Sequence, residues 1–282
     1  MRTLTTCATI IFSAACHHVQ TSGPRQLDVL WVATGQMCEP ETVIFDPLKN
    51  DLIVSNICGF RKNGNGYLSR LSLEGTLSDA RWIEGLNAPA GMAINGRQIY
   101  VTDLDRYHIF DLDTGENLST VKPSFDVRAF NDIAVSADET VYISDSFSNR
   151  VFAVNQGRFV QFPDSQTEFK FANGLHLRNG SLYVGGNLLW KVDLKSNIIE
   201  TVNPEVLIDI DGIENGLHGG LVLSIVGGNL WHFAPDGELE EWTAPGLSST
   251  NHAVLSDEKL ILVPTGYDNE VLALRMPVTD KE

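Results

Sequence analysis

Positive charge is what this sequence has least of. Its 282 residues hold 20 Lys and Arg against 36 Asp and Glu, for a formal charge of −16. Nucleic-acid surfaces need clustered cations to displace phosphate counterions, so no nucleic-acid partner is expected. Long apolar runs are also missing. The one N-terminal stretch, LTTCATIIFSAAC, is too short to span a bilayer. Amphipathic helical periodicity is absent, and Met is scarce at 4 residues, whereas Gly reaches 24, a composition of many tight turns.

The N-terminus stands apart from the rest. Arg2, the short apolar run and the small residues after it have the layout of a secretory signal peptide, so residues 1–16 are expected to be an export leader. Ser13-Ala14-Ala15-Cys16 also resembles a bacterial lipoprotein box, although such boxes usually carry Leu where Ser13 stands. In that version Cys16 is lipidated and supplies the only membrane attachment. The expected location is the periplasm, free or lipid-anchored. Residues 17–26 read as a linker. Cys7 and Cys16 belong to the leader, which leaves Cys38 and Cys58. One disulfide or two buried thiols both remain open for that pair.

From residue 40 onward one pattern recurs six times. It begins with ETVIFDPLKNDLIVSN, then PAGMAINGRQIYVTD, NDIAVSADETVYISD, NGLHLRNGSLYVGG, DGIENGLHGGLVLSIVGG and NHAVLSDEKLILVPTG. The spacing is regular: 41 residues from Gly91 to Asp132, then 42 to Gly174, 38 to Gly212 and 40 to His252. The segments alternate with period two and are rich in Val, Ile, Tyr and Phe, which excludes a helical solenoid. Four strands at this period predict a β-propeller blade, and six copies predict a six-bladed, all-β ring. The sixth copy lacks its outermost strand, while LDVLWVATG at residues 27–35 is unclaimed. That early strand is expected to complete the last blade, making residues 27–278 a single domain.

The first residues of the innermost strands meet at one mouth of a propeller's central channel. Here they are Glu41, Ala90-Gly91, Asn131-Asp132, Asn173-Gly174, Asp211-Gly212 and Asn251-His252. Any one of them is explained as a turn former. Together, Glu41, Asn131, Asn173 and Asp211 supply two carboxylates and two neutral amide oxygens. An all-oxygen set of charge −2 suits a hard divalent cation, Ca²⁺ first among them, with other divalent ions as alternatives. The set lacks Cys and has one His nearby, which disfavours zinc.

These blade starts, Glu41 in PETVIFDP, Asn131 in NDIAVSADETVYISDS, Asn173 in ANGLHL and Asp211 in DGI, resemble the metal-binding positions of the gluconolactonase and senescence-marker-protein family. Paraoxonases and diisopropylfluorophosphatases are more distant kin. The resemblance covers residues 40–275. It implies a six-bladed propeller with Ca²⁺ at the channel mouth, hydrolysing small-molecule lactones or related esters. It also implies that Glu41, Asn131, Asn173 and Asp211 are metal ligands, with Asp211 as catalytic base or nucleophile. Thr42 stands where paraoxonases carry an acid, so a second calcium site involving Asp132 is not carried over. Ala90-Gly91 stands where gluconolactonase-like enzymes place polar residues on the sugar, so sugar specificity is not carried over either.

His252 and Asp132, at the same rim, are expected in the substrate pocket, His252 as a helper in proton transfer. The rival from another class is an exported, non-catalytic propeller that binds a ligand or scaffolds a partner, since this fold serves both purposes. Other motifs lead nowhere. His218-Gly219-Gly220 lacks an accompanying nucleophile elbow, Gly64-Asn65-Gly66 is a turn, and Trp190 and Trp231 match in position as core residues would.

Overall fold

The computed structural model describes residues 21–164, 166–203 and 207–277. The expected leader and Cys16 lie outside the described residues, as do residues 17–20 of the linker. Among the described residues there are six small sheets, one per repeat and antiparallel but for one edge strand, and no helix long and apolar enough to cross a membrane. This is the expected six-bladed propeller.

Blade one runs Pro40–Asp46, Asp51–Asn56, Gly66–Leu71 and Leu77–Leu86 from the centre outward. Blade two spans Pro89–Asn95 to Asn117–Val121, blade three Ile133–Val135 to Arg158–Phe162 and blade four Leu175–Arg178 to Ile199–Asn203. Blade five begins with Ile210–Asn215 and blade six with Ala253–Leu255. The outer edge of blade six is Val29–Ala33, antiparallel to Glu270–Arg275, with Val32 opposite Leu272. The N-terminal strand therefore closes the ring, as the unclaimed segment predicted.

One stretch departs from expectation. Thr21–Gln26, assigned to a linker, is a strand that runs parallel to Leu239–Thr243 and makes blade five five-stranded. Gly23 and Pro24 hide it from a propensity reading, and the register breaks across them, between Ser22 and Arg25. Proline is tolerated there because the strand lies at a sheet edge.

Period-two alternation explains why the blades pack. A strand in the middle of a blade is covered on both faces, so successive residues go to opposite neighbours. Leu52 and Val54 enter a core shared with blade six, while Ile53 between them enters the core shared with blade two. Ile99 and Val101 face blade one, and Tyr100 faces blade three. The result is six wedge-shaped cores between neighbouring blades, rather than one central core. The axis is left to polar residues, and that arrangement creates the site. Cys38 and Cys58 form a disulfide that ties the loop entering blade one to the loop after its second strand.

Candidate metal and active site

Glu41, Asn131, Asn173 and Asp211 come from four different blades and line one cavity of about 610 Å³ at the channel mouth. Glu41 and Asp211 sit where the inner-strand register breaks, between Pro40 and Val43 and between Ile210 and Ile213. Such a bulge re-aims side chains that a regular strand would send into the neighbouring wedge. Asn131 and Asn173 precede the regular part of their strands, which begin at Ile133 and Leu175.

The backbone just past these residues is anchored by serines that sequence reasoning missed. The N–H groups of Thr42, Asp132 and Gly212 donate to the hydroxyls of Ser55, Ser144 and Ser224 at 3.0, 2.9 and 2.7 Å. All three serines are fully buried on the second strand of their blades. A signal was present: Ser or Thr recurs near the end of IVSN, YVTD, YISD and VLSI. Close approach along the axis also demands glycine. A Cβ at Gly174 would fall on the Asp211 carbonyl, and one at Gly212 would lie 2.6 Å from His252 Nδ1.

The hydrogen bonds of these side chains leave some of their acceptor oxygens without protein donors. Glu41 Oε2 accepts the Thr42 hydroxyl at 2.6 Å. The Asn131 amide donates to Ser146 Oγ at 3.1 Å, which leaves Oδ1 as its acceptor. Asn173 Oδ1 is buried with no hydrogen-bond partner.

The charges are uncompensated. Burial pushes the Glu41 carboxyl up to about 7, with the Thr42 hydroxyl pulling the other way. Asp211 is held well above the usual carboxylate range by burial first, then by the negative charges of Glu41 and Asp132. Asp132 is raised likewise by burial and by Glu41. Among the described residues no Lys or Arg pairs with any of the three. Buried carboxylates without counter-ions are costly, and an orphaned amide oxygen adds to that cost. A divalent cation held by two carboxylates and two amides answers both, so the donor set fits calcium. Among the described residues no group of three or more His, Cys, Asp or Glu is placed to hold a metal.

The two other expected pocket residues lie elsewhere. Asp132 and His252 are 4% and 1% exposed, and neither lines the cavity. The Asp132 carboxylate turns to the protein, accepting from Ile133 N–H at 2.8 Å and Leu175 N–H at 2.7 Å. His252 sits against Gly212 with both ring nitrogens unpartnered, and burial pushes it down to about 3. Its ring is neutral and removed from the cavity. At the channel's other end Glu214 lines two smaller openings, one of them shared with His176. Burial raises the Glu214 carboxyl to about 8. His218-Gly219-Gly220 forms a turn between the first two strands of blade five, at that same far end.

No family model matches the sequence, and no curated protein matches it. Solved structures do match in fold. A candidate gluconolactonase superposes with a TM-score of 0.68 at 18% identity, covering 89% of this chain and 91% of its own. A streptogramin B lyase gives 0.64 at 11% identity over 88% of this chain and 98% of its own. A catalytically inactive histidine-to-alanine variant of virginiamycin B lyase from Staphylococcus aureus, solved with quinupristin, gives 0.59 at 13% over 88% and 99%. At these identities the likeness is one of architecture, and this chain is a six-bladed β-propeller built like those three proteins.

Proposed function

We propose that this protein is a calcium-dependent hydrolase of lactones or related esters, acting at the mouth of the propeller channel. The observation that carries the reading is the unpartnered, buried Asn173 Oδ1 beside two uncompensated carboxylates on one cavity. Glu41, Asn131, Asn173 and Asp211 would hold the ion, and other divalent cations would suit the same oxygens. The bound cation supplies Lewis-acid polarisation of the substrate carbonyl.

The chain's own residues do the rest. Asp211 is the catalytic group, as nucleophile or as the base that takes a proton from attacking water. The Asn173 side chain stands beside it on the same cavity and lowers its carboxyl against the effect of burial. Ser224, through Gly212 N–H, holds the Asp211 backbone at the mouth. The Thr42 hydroxyl fixes one oxygen of Glu41. The architecture is shared with a candidate gluconolactonase and is compatible with the hydrolase reading. The Cys38–Cys58 disulfide supports export to an oxidising compartment, with Cys16 as the lipid anchor if one is attached.

The test is a panel of γ- and δ-lactones and aryl esters assayed with calcium and with chelator. The expected outcome is turnover that chelator abolishes, and loss of about 10³-fold or more in Asp211→Asn. Turnover retained by Asp211→Asn would remove the catalytic assignment.

A further inference from the structure

The same cavity has a second character. Beside the four rim oxygens its wall is formed by Ile57, Phe60, Val226 and Tyr267, from loops of blades one, five and six. Phe60 and Tyr267, 56% and 76% exposed, stand with Val226 on one cavity wall, a grouping rather than scattered single residues. Tyr267 is not merely a loose loop residue. A Cβ at Gly227 of blade five would lie 3.2 Å from its ring, so the ring rests across that glycine.

Several polar groups of this wall are already committed to the scaffold. Asn269 Oδ1 accepts Glu39 N–H at 2.7 Å, and Glu39 Oε2 accepts Gly59 N–H at 2.6 Å. The Thr250 hydroxyl donates to the Pro264 carbonyl at 3.1 Å. What stays open on the wall is the Tyr267 hydroxyl, the Asn269 NH2 and one Glu39 oxygen, fewer groups than a polyhydroxylated ring presents. No Lys, Arg or His lines the cavity, so beyond a cation at the rim a substrate carboxylate or phosphate finds no positive partner along the wall. A volume of about 610 Å³ is that of a site for a medium-sized organic molecule.

We infer that Ile57, Phe60, Val226 and Tyr267 form an apolar subsite, and that the substrate is an uncharged lactone or ester bearing an extended alkyl or aryl group. The inference rests on the hydrolase reading for its reactive end, with the carbonyl at the rim oxygens and the apolar group along the wall. It selects against polyhydroxylated and anionic esters.

The test uses binding, so that it is independent of turnover. The affinity of the full chain for non-hydrolysable 5-alkyl-γ-butyrolactams, ethyl to octyl, is measured by calorimetry in calcium. Affinity is expected to rise about two- to fourfold per added methylene. That slope is expected to flatten in the Phe60→Ser/Tyr267→Ser double variant and to persist in Phe171→Ser, an exposed residue outside the cavity wall. A rising slope without turnover of any lactone would leave the subsite standing and sink the hydrolase. Lactone turnover with no chain-length dependence would overturn the subsite alone. Sedimentation completes the test: a dimer dissociated by the double variant would make the wall an interface between copies and overturn the subsite as well.

Discussion

The Ser224 hydroxyl accepts the Gly212 N–H at 2.7 Å, one residue beyond the carboxylate of Asp211. A buried hydroxyl on the second strand thereby sets the position of a rim residue on the first. Ser224→Ala leaves that N–H buried and unpaired, at a cost of about 1–3 kcal/mol. It is expected to weaken calcium binding by about tenfold or more, as the loss of groups that orient ligands commonly does. Calcium titration calorimetry of Ser224→Ala beside Ser224→Thr, which keeps a hydroxyl, measures the effect. Equal affinity in all three proteins would show that the hydroxyl positions nothing.

Without a cation, burial and the charges of Glu41 and Asp132 hold the Asp211 carboxyl well above the usual carboxylate range. Replacing it with Asn removes one of three mutually repelling acids. Metal-free Asp211→Asn is therefore expected to melt above the metal-free wild type at pH 8, while losing activity. A lower melting temperature in chelator would contradict the electrostatic picture of the rim.

Glu214, at the far mouth, titrates at about 8 when folded and near 4.5 when unfolded. Between those values the folded protein binds a proton that the unfolded chain has released. Stability therefore falls as pH rises through that window. The side chain is still 33% exposed, which screens the effect to about 1–2 kcal/mol. Glu214→Gln is expected to have a shallower decline in melting temperature from pH 5 to 8.5 and a higher value at pH 8.5. Parallel curves for the two proteins would rule Glu214 out as the cause.

The Cys38–Cys58 bridge closes a sequence separation of 20 residues and ties together two loops of the cavity wall. Loop-closure entropy puts its contribution at about 3 kcal/mol. Cys38→Ser, or reduction, is expected to lower the melting temperature by about 5–10 °C and to weaken binding of alkyl lactams, since Ile57 and Phe60 lie on the tethered loop. Unchanged melting would show that the bridge constrains little.

Much of this was legible in the sequence because propeller geometry is periodic. The alternation of Leu52, Ile53 and Val54 fixes which wedge each enters, and the forty-residue spacing brings Glu41, Asn131, Asn173 and Asp211 to one cavity. What escaped was set by local backbone detail. Just ahead of the regular strands that begin at Ile133 and Ala253, the sequence does not say which of two neighbours reaches the mouth, so Asp132 and His252 are expected in a cavity that neither lines. The serines behind the rim repeat visibly, but only the ladder shows what they bond. Phe60 and Tyr267 lie on irregular loops, where no period ties residue number to direction. Thr21–Gln26 was hidden by its own Gly and Pro.

The most direct measurement is the melting temperature of wild type and Asn173→Ala across a calcium titration. Binding to the folded state alone stabilises by about 2.7 kcal/mol at a hundredfold excess over Kd, several degrees for a chain of this length. The expected result is a saturable upward shift in the wild type, lost for the most part in Asn173→Ala, where the orphaned oxygen is gone. No shift with calcium, magnesium or manganese, or an undiminished shift in Asn173→Ala, would contradict a metal site at the channel mouth.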